Sequence, residues 1–361
     1  MIDNFITPII KLTDACNFSC DFCYYSQKAL KLRNKILPLE LLKKIIEEVV
    51  DINLRKNKKL CHLIFHGGEP LLAGVPYFEK IIMIEKNIKT QHPDIIFENS
   101  IETNGFLLND EWFEFFKSHD FGIGISIDGP DSLNYHKNKT DSSTNQKVLN
   151  NIHQLNKLNI PFGVMSVITN SHLKHANELY NFYIENKITN VGFCYCFNKD
   201  TNDSVDTHGL ALFLIDFFNL YFYGENKLRV REYEEMIKKI LHKNNNLCLF
   251  CNRKRCGNYP TIDSDGNVFF CDFATEKDKA IGNIRRNSIN EIIDSTEWQD
   301  ELKKAMLINT NTCNTCRNHD ICGGICYRSD IPTEGGNIKN YFCETYSIVM
   351  EYVRDKIKPS I

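Results

Sequence analysis

The sequence lacks the features of membrane proteins and of nucleic-acid-binding proteins. No uninterrupted apolar run approaches the length that spans a bilayer, and the first residues show no basic segment followed by an apolar core. The 43 Lys and Arg residues nearly balance 46 Asp and Glu, so no charge excess indicates a nucleic acid or an anionic membrane as partner. Repeats and low-complexity tracts are also missing. These absences predict a cytoplasmic globular protein with neither partner.

Cysteine, by contrast, is abundant, with 15 residues in a chain of 361. Without an export signal we expect a reducing compartment, where clustered thiols are metal or cluster ligands rather than disulfides. Three of them lie in the segment Cys16-Asn-Phe-Ser-Cys20-Asp-Phe-Cys23. Three thiolates on one loop can bind three irons of a four-iron cluster and leave the fourth iron open to a substrate or cofactor. A zinc half-site is the competing interpretation.

Apolar periodicity predicts alternating strands and helices over residues 1–235. Runs rich in β-forming residues predict strands at Phe5–Leu12, Leu63–Phe65, Ile95–Ile101, Gly122–Ile127, Phe162–Ile168 and Val191–Phe197. Apolar residues spaced by three and four predict helices at Pro38–Leu54, Tyr77–Lys89, Asp110–Lys117, Asn145–Leu158 and Leu173–Glu185. This alternation implies parallel strands with right-handed crossovers. We therefore predict an α/β fold with a partial (β/α)6 TIM-like barrel.

Chemically distinctive residues follow the predicted strands. They are the cysteine segment after the first strand, His66-Gly67-Gly68-Glu69-Pro70 after the second, Thr103-Asn104-Gly105 after the third, and Ser126-Ile127-Asp128 at the end of the fourth. Ser126 and Asp128 are expected to alternate on one strand and so to share a face. The carboxyl ends of parallel barrel strands meet at one edge, which carries the chemistry. We expect these residues to form one site.

Residues 236–361 are predicted to form a small α+β domain organised by cysteines. Long helical patterns are missing there before the last segment, and Asp263–Gly266 predicts a hairpin turn. The cysteines follow the spacing Cys256-x9-Gly266-x4-Cys271, then Cys313-x2-Cys316-x5-Cys322-x3-Cys326, then Cys343. A pair of structural zinc sites is the competing interpretation, because two cysteines separated by two residues are typical of zinc sites.

The first cysteine segment, with Phe22 before its last cysteine, resembles the signature of the radical S-adenosylmethionine (radical SAM) enzymes. This resemblance implies a [4Fe–4S] cluster on Cys16, Cys20 and Cys23 that binds SAM and cleaves it to a 5′-deoxyadenosyl radical. It also implies a SAM pocket. Its predicted members are Gly67, Gly68, Glu69 and Pro70 in the glycine-rich turn, where Glu69 orients the amino group, together with Asn104, Ser126 and Asp128.

The later cysteines resemble the seven-cysteine signature of the SPASM domain, which holds auxiliary iron–sulfur clusters. By this resemblance one [4Fe–4S] cluster takes Cys313, Cys316, Cys322 and Cys343. The other takes Cys256, Cys271, Cys326 and an upstream cysteine, for which Cys251 is better placed than Cys248. The expected cofactors are therefore SAM and three [4Fe–4S] clusters. Asp272 is a candidate general base, with a solvated turn aspartate as the alternative.

Relatives with a SPASM domain mostly modify peptides or proteins, and two branches compete. One cross-links ribosomally made precursor peptides into cyclophanes or thioethers (RiPP maturation), and the other is anaerobic sulfatase maturation, which makes formylglycine. Sulfatase maturases typically carry Gln before the glycine pair and Thr after the proline, where this chain has His66 and Leu71. We therefore expect a radical SAM oxidoreductase that matures peptides, with sulfatase maturation as the alternative. A non-catalytic iron–sulfur electron carrier is the alternative from another class.

The expected partners follow from this chemistry. They are a precursor peptide or protein substrate and an electron donor of the flavodoxin or ferredoxin type. Because the sequence begins at the first predicted strand, we expect no N-terminal peptide-recognition domain. A leader peptide would then need a separate recognition protein or would dock on the barrel.

Overall fold

The chain forms two compact units, each discontinuous in sequence. In the computed structural model the described residues are 5–20, 23, 35–134, 136, 144–197, 203–243, 248, 253–273, 279–307, 313–332 and 338–357. The first unit takes Met1–Ser126, Tyr135–Phe162 and Cys256–Leu302, and the second takes Ile127–Asn134, Gly163–Arg255 and Lys303–Ile361. The domain boundary predicted at residue 235 stays a prediction.

The first unit contains a parallel sheet with helices between its strands. Its parallel strands are β1 (Ile9–Thr13), β2 (Leu60–Gly67), β3 (Ile96–Thr103) and β4 (Phe121–Ser126), paired in that order. Its helices are α1 (Leu39–Arg55), α2 (Val75–Gln91), α3 (Asp110–Ser118) and α4 (Thr144–Lys157). Alternate residues of β2, namely Cys61, Leu63 and Phe65, are fully buried. The sheet therefore packs one face on a helical layer, as its two-residue period requires.

A hairpin from the later part of the chain joins this sheet. Strand β8 (Thr261–Ile262) pairs parallel with β1, and β9 (Asn267–Phe269) pairs antiparallel with β8. Strand β10 (Gly282–Asn283) then pairs antiparallel with β9. The turn lies at Asp263–Gly266, where Gly266 has a φ of 83°. The predicted hairpin is confirmed, and its pairing with β1 places residues 256–302 in the first unit.

The second unit has its own parallel strands and an aromatic core. Strands β5 (Gly163–Ile168), β6 (Asn190–Tyr195) and β7 (Arg229–Val230) pair in parallel. Helices α5 (Ala176–Glu185), α6 (Thr207–Tyr223) and α7 (Arg231–Ile240) accompany them. Phe213 and Phe217 of α6 are fully buried and contact Phe193 of β6 edge to face. Such aromatic pairs stabilise the packing beyond the burial of their area.

The remaining described residues contribute several short elements and two longer helices, of 11 and 15 residues. They are α8 (Ile289–Ile293), α9 (Thr296–Met306), α10 (His319–Cys322), the antiparallel pair β11 (Asp330–Pro332) and β12 (Ile338–Asn340), and α11 (Cys343–Ile357). Helix α9 has 11 residues, so the expectation that no long helix precedes the last segment was wrong. Among the described residues, no helix is long and apolar enough to cross a membrane.

Candidate active site

The cysteine segment follows β1 and turns back on itself. The amide of Cys23 donates to the carbonyl of Cys20 at 3.1 Å, and the amide of Phe18 donates to Cys16 Sγ at 3.4 Å. Burial raises the pKa of Cys16 to about 12, and the neighbouring Cys23 thiol acts in the same direction. A thiol in such a place ionises when a metal takes the proton's position, so the segment fits a cluster ligand set. Phe22 lies outside the described residues.

The glycine pair after β2 docks this cysteine segment. A Cβ on Gly67 would lie 2.4 Å from the Thr13 carbonyl oxygen, and one on Gly68 would lie 2.1 Å from that of Ala15. The amide of Gly68 donates to Thr13 O at 2.8 Å, and that of Glu69 donates to Ala15 O at 2.9 Å. Only glycine permits this approach. These two amides therefore fix the chain before Cys16, and the predicted role of the glycine pair in a SAM pocket stays a prediction.

Glu69 is fully buried and joins the second loop to the third. Its Oε1 accepts from the amide of Leu71 at 3.0 Å and from the Thr103 hydroxyl at 2.7 Å. Its Oε2 accepts from the amide of Asn104 at 2.8 Å. Burial raises the pKa of Glu69 to about 7, although the three donors oppose the shift. The predicted SAM ligand Glu69 therefore also joins the second loop to the third by hydrogen bonds. Pro70 begins the short 3₁₀ helix Pro70–Ala73 that follows it.

Asn104 connects Glu69 to the cysteine segment by hydrogen bonds. Its Nδ2 donates to Asn17 Oδ1 at 2.8 Å and to Cys16 Sγ at 3.9 Å, and its Oδ1 accepts from the amide of Phe106 at 3.0 Å. The structure therefore brings Cys16, Glu69 and Asn104 together, as the sequence predicted. Hydrogen bonds to cluster sulfurs and their neighbours orient metal ligands and tune a cluster's potential.

Asp128 occupies a different environment from the one expected. Strand β4 ends at Ser126, which is half-buried, so the predicted strand alternation does not reach Asp128. Asp128 is fully buried, and its Oδ1 accepts from the amide of Val167 at 2.8 Å. Nδ1 of the buried His172 accepts from the amide of Thr169, so its Nε2–H points to the Asp128 carbonyl at 3.3 Å. The Asp128 carboxylate thus fixes the local backbone.

Asp272 forms an ion pair rather than standing in solvent. Its Oδ1 lies 3.2 Å from Nζ of Lys11, whose side chain is 5% exposed, while that of Asp272 is 26% exposed. Lys11 comes from β1, where Ile9, Ile10 and Leu12 surround it in sequence. A buried ammonium needs a partner, so the pair holds Asp272 in one orientation next to Cys271.

Four cysteines of the second unit influence one another's pKa. Burial raises the pKa of Cys322 to about 12, and the thiols of Cys343, Cys313 and Cys316 act in the same direction. Burial also raises the pKa of Cys343, and Cys316 adds to the effect. These mutual influences place the four thiols within electrostatic reach. They are the four ligands that the sequence assigned to one auxiliary cluster.

The other predicted ligands are partly buried but do not form a described group. Cys256 and Cys271 lie in the first unit and Cys326 in the second. Cys248 is exposed, and Cys251 lies outside the described residues. Among the described residues, no three His, Cys, Asp or Glu side chains are placed to hold a single metal ion. A [4Fe–4S] cluster does not require three side chains to converge on one metal ion, because each thiolate binds its own iron.

The sequence interpretation missed the roles of several residues of the site. Thr103 binds Glu69, Asn17 binds Asn104, and Lys11 binds Asp272. Only Lys11 had a signal, as a lysine inside the apolar run Ile9-Ile10-Lys11-Leu12. The other two are small polar residues beside motif residues, and their roles depend on contacts between loops far apart in sequence.

Comparison with known families gives two matches. Residues 10–183 match the model of the Radical SAM superfamily, and residues 248–318 match that of an iron–sulfur cluster-binding domain, SPASM. The two matched segments follow the order predicted from the cysteines.

Individual relatives match over nearly the whole chain. A cysteine-type anaerobic sulfatase-maturating enzyme of Clostridium perfringens is 25% identical over 94% of this chain and 94% of its own length. A serine-type enzyme of Bacteroides thetaiotaomicron is 24% identical over 94% of this chain and 86% of its own. The solved structure of native anSMEcpe with bound AdoMet and the Cp18Cys peptide aligns with a TM-score of 0.86 at 25% identity, covering 99% of both chains.

Proposed function

Since the chain is a radical SAM protein with a SPASM domain, we propose that it matures a protein by oxidising a cysteine side chain to formylglycine. The predicted fold class is confirmed, and SAM and [4Fe–4S] clusters are its cofactors. The observation that carries the proposal is the similarity to a cysteine-type anaerobic sulfatase-maturating enzyme over 94% of each chain. This similarity favours the alternative that the sequence interpretation placed second. Cross-linking of a precursor peptide is not supported by a match of that extent.

His66 and Leu71 are the two residues that made peptide cross-linking the expected branch. In the structure His66 Nδ1 accepts from the amide of Gly67 at 2.7 Å, so the ring folds back on its own backbone. Leu71 is buried, and its amide donates to Glu69. Both residues serve the local turn, so their identity says little about the substrate.

The proposed roles of the residues follow the geometry of the first unit. Cys16, Cys20 and Cys23 would hold the SAM-binding cluster, and Cys16 is the one whose sulfur accepts from Phe18 and Asn104. Bound SAM and its reduced cluster supply a carbon radical that removes a hydrogen atom from the substrate cysteine. The chain's own residues hold the reacting groups in position and exclude water.

Asp272 is proposed as the base that takes a proton as the substrate carbon is oxidised. Its ion pair with Lys11 holds the carboxylate in one orientation, which a proton acceptor requires. Replacement of sulfur by water then gives the aldehyde and releases hydrogen sulfide. The auxiliary clusters that the later cysteines would hold would accept the electron left by this oxidation.

A peptide series tests the proposal. The anaerobically reconstituted protein is incubated with SAM, dithionite and a sulfatase-derived peptide carrying Cys, Ser or Ala at one position. We expect an aldehyde, detected by a hydrazide probe and mass spectrometry, from the Cys peptide and none from the Ala peptide. A Ser peptide that reacts faster would replace the cysteine assignment by serine. A product that keeps its sulfur in a new cross-link, with no aldehyde, would contradict the proposal.

A further inference from the structure

Arg253 is a buried cation that none of the roles above explains. Its side chain is 3% exposed, and its φ of 59° lies in the left-handed region. A buried guanidinium is costly unless its N–H groups find acceptors and its charge finds a partner. The acceptors around Arg253 therefore indicate what the residue holds together.

The guanidinium of Arg253 ties together three segments of the second unit. Nη1 and Nη2 each donate to one carboxylate oxygen of Asp330, both at 2.8 Å. Nε donates to the carbonyl of Ile325 at 3.1 Å, and Nη2 donates to that of Gly324 at 2.7 Å. Nη1 also donates to two carbonyl groups at the end of α9, those of Ala305 and Leu307. The planar fork of arginine suits a bidentate pair of this kind, and lysine cannot reproduce it.

Two of these carbonyl groups belong to a strained turn between predicted cluster ligands. Cys322 and Cys326 flank the turn, and its three residues Gly323, Gly324 and Ile325 have φ values of 57°, 88° and 57°. Glycine adopts this region readily, but a β-branched residue in it is an outlier. Such strain persists only where the surroundings impose it. The hydrogen bonds from Arg253 to the carbonyls of Gly324 and Ile325 are among the contacts that impose it here.

Asp330 extends the same network to Cys326 itself. Asn340 Nδ2 donates to Asp330 Oδ1 at 2.9 Å and to the carbonyl of Cys326 at 2.8 Å. Through these contacts Arg253 holds the turn between Cys322 and Cys326, which the sequence assigned to two different clusters.

We infer that Arg253 is a positioning residue for both auxiliary clusters, because it holds the turn that carries Cys322 and Cys326. The inference depends on the ligand sets proposed above and not on the identity of the substrate. A four-iron cluster needs its thiolates to converge, and groups around the ligands fix their orientation. If the turn relaxes, Cys322 and Cys326 both move, so each auxiliary cluster loses one of its ligands. Loss of Arg253 should then affect both auxiliary clusters and spare the one on Cys16, Cys20 and Cys23.

The test compares Arg253→Gln with a matched surface variant, Arg317→Gln. Arg317 directly follows Cys316, but its side chain is 68% exposed and pairs with Glu351. After anaerobic reconstitution we expect about twelve irons per chain in the wild type and in Arg317→Gln, and about four in Arg253→Gln. The reduced Arg253→Gln protein should keep only the electron paramagnetic resonance signal that SAM perturbs. Its SAM cleavage without peptide should stay within about twofold of the wild type.

Two milder variants keep the test decisive if Arg253→Gln is insoluble. Arg253→Lys keeps the charge without the fork, and Asp330→Asn keeps the shape without the charge. Each should lose at least about a third of the iron and should weaken both auxiliary signals, because the turn carries one ligand of each cluster. Soluble variants that retain all iron and both auxiliary signals would overturn the inference. Loss of the SAM-binding cluster as well would also overturn it, because the effect would then be general unfolding. These readouts need no peptide, so they are independent of the formylglycine assay.

Discussion

Gly68→Ala tests whether the glycine pair docks the cysteine segment. A Cβ at this position would lie 2.1 Å from the carbonyl oxygen of Ala15 and 2.9 Å from that of Asp14. Cβ atoms essentially never come within 3.0 Å of such backbone atoms, so the chain before Cys16 must move. Because the obstacle is backbone rather than a flexible side chain, no change of rotamer relieves it.

The cost of this movement can be worked from the contacts it breaks. The hydrogen bonds from the amides of Gly68 and Glu69, at 2.8 and 2.9 Å, would be lost or lengthened. Each is worth about 1 kcal/mol, and the crowding adds about 1–3 kcal/mol. The total of about 3–5 kcal/mol is a large part of a typical unfolding free energy of about 5–15 kcal/mol. The cysteine segment can avoid most of this cost by moving away from the glycine pair. We therefore expect the substitution to disrupt the cluster more than the stability of the whole protein.

The assay is SAM cleavage, together with iron content after reconstitution. We expect Gly68→Ala to lose the cluster on Cys16 and to lower the yield of 5′-deoxyadenosine at least about tenfold, the equivalent of 1.4 kcal/mol. Gly163→Ala is the control, because the nearest atoms to its Cβ, on Asn190, lie 3.7 Å away. Wild-type iron and cleavage in Gly68→Ala would refute the docking argument, as would equal damage in the control.

Three further predictions concern the carboxylates and the unassigned cysteine ligand. Burial raises the pKa of Glu69 from 4.5 to about 7, so the folded state keeps a proton that the unfolded state loses, and stability falls as pH rises through this range. The unfolding free energy of the wild type minus that of Glu69→Gln should therefore fall by about 3 kcal/mol between pH 4 and pH 8 in urea titrations, and a constant difference would contradict the assignment. Asp272→Asn should keep SAM cleavage and lose the aldehyde, whereas unchanged aldehyde would remove Asp272 as the base. Cys251→Ala should lose about four irons per chain and Cys248→Ala none; the reverse result would exchange the two cysteines.

Much of the fold was predictable because its signals are local. The predicted strands and helices of the first half agree with the structure to within a few residues, since each has a clear two-residue or three-to-four-residue apolar period. The two-residue strand Arg229–Val230 had no such pattern, so it was missed. The pairing of β8 with β1 joins residues about 250 apart, and no local pattern encodes that contact.

The motif residues of the site were predictable from the sequence, but their hydrogen-bond partners were not. The sequence interpretation assigned Glu69 and Asn104 to SAM, and the structure shows that both also hold other loops of the protein. Asp128 was expected to face the site from a strand, yet its carboxylate accepts from the amide of Val167. A buried carboxylate in a motif needs hydrogen-bond donors, and these donors come from segments distant in sequence. Such a residue therefore also stabilises the local structure.

Isotope transfer tests the proposed function most directly. A substrate peptide with deuterium at both β-positions of its single cysteine is incubated with the reconstituted protein, SAM and dithionite. We expect singly deuterated 5′-deoxyadenosine to form in proportion to formylglycine, because the radical takes its hydrogen atom from that carbon. Deuterium-free 5′-deoxyadenosine, or its formation without any aldehyde, would contradict the account.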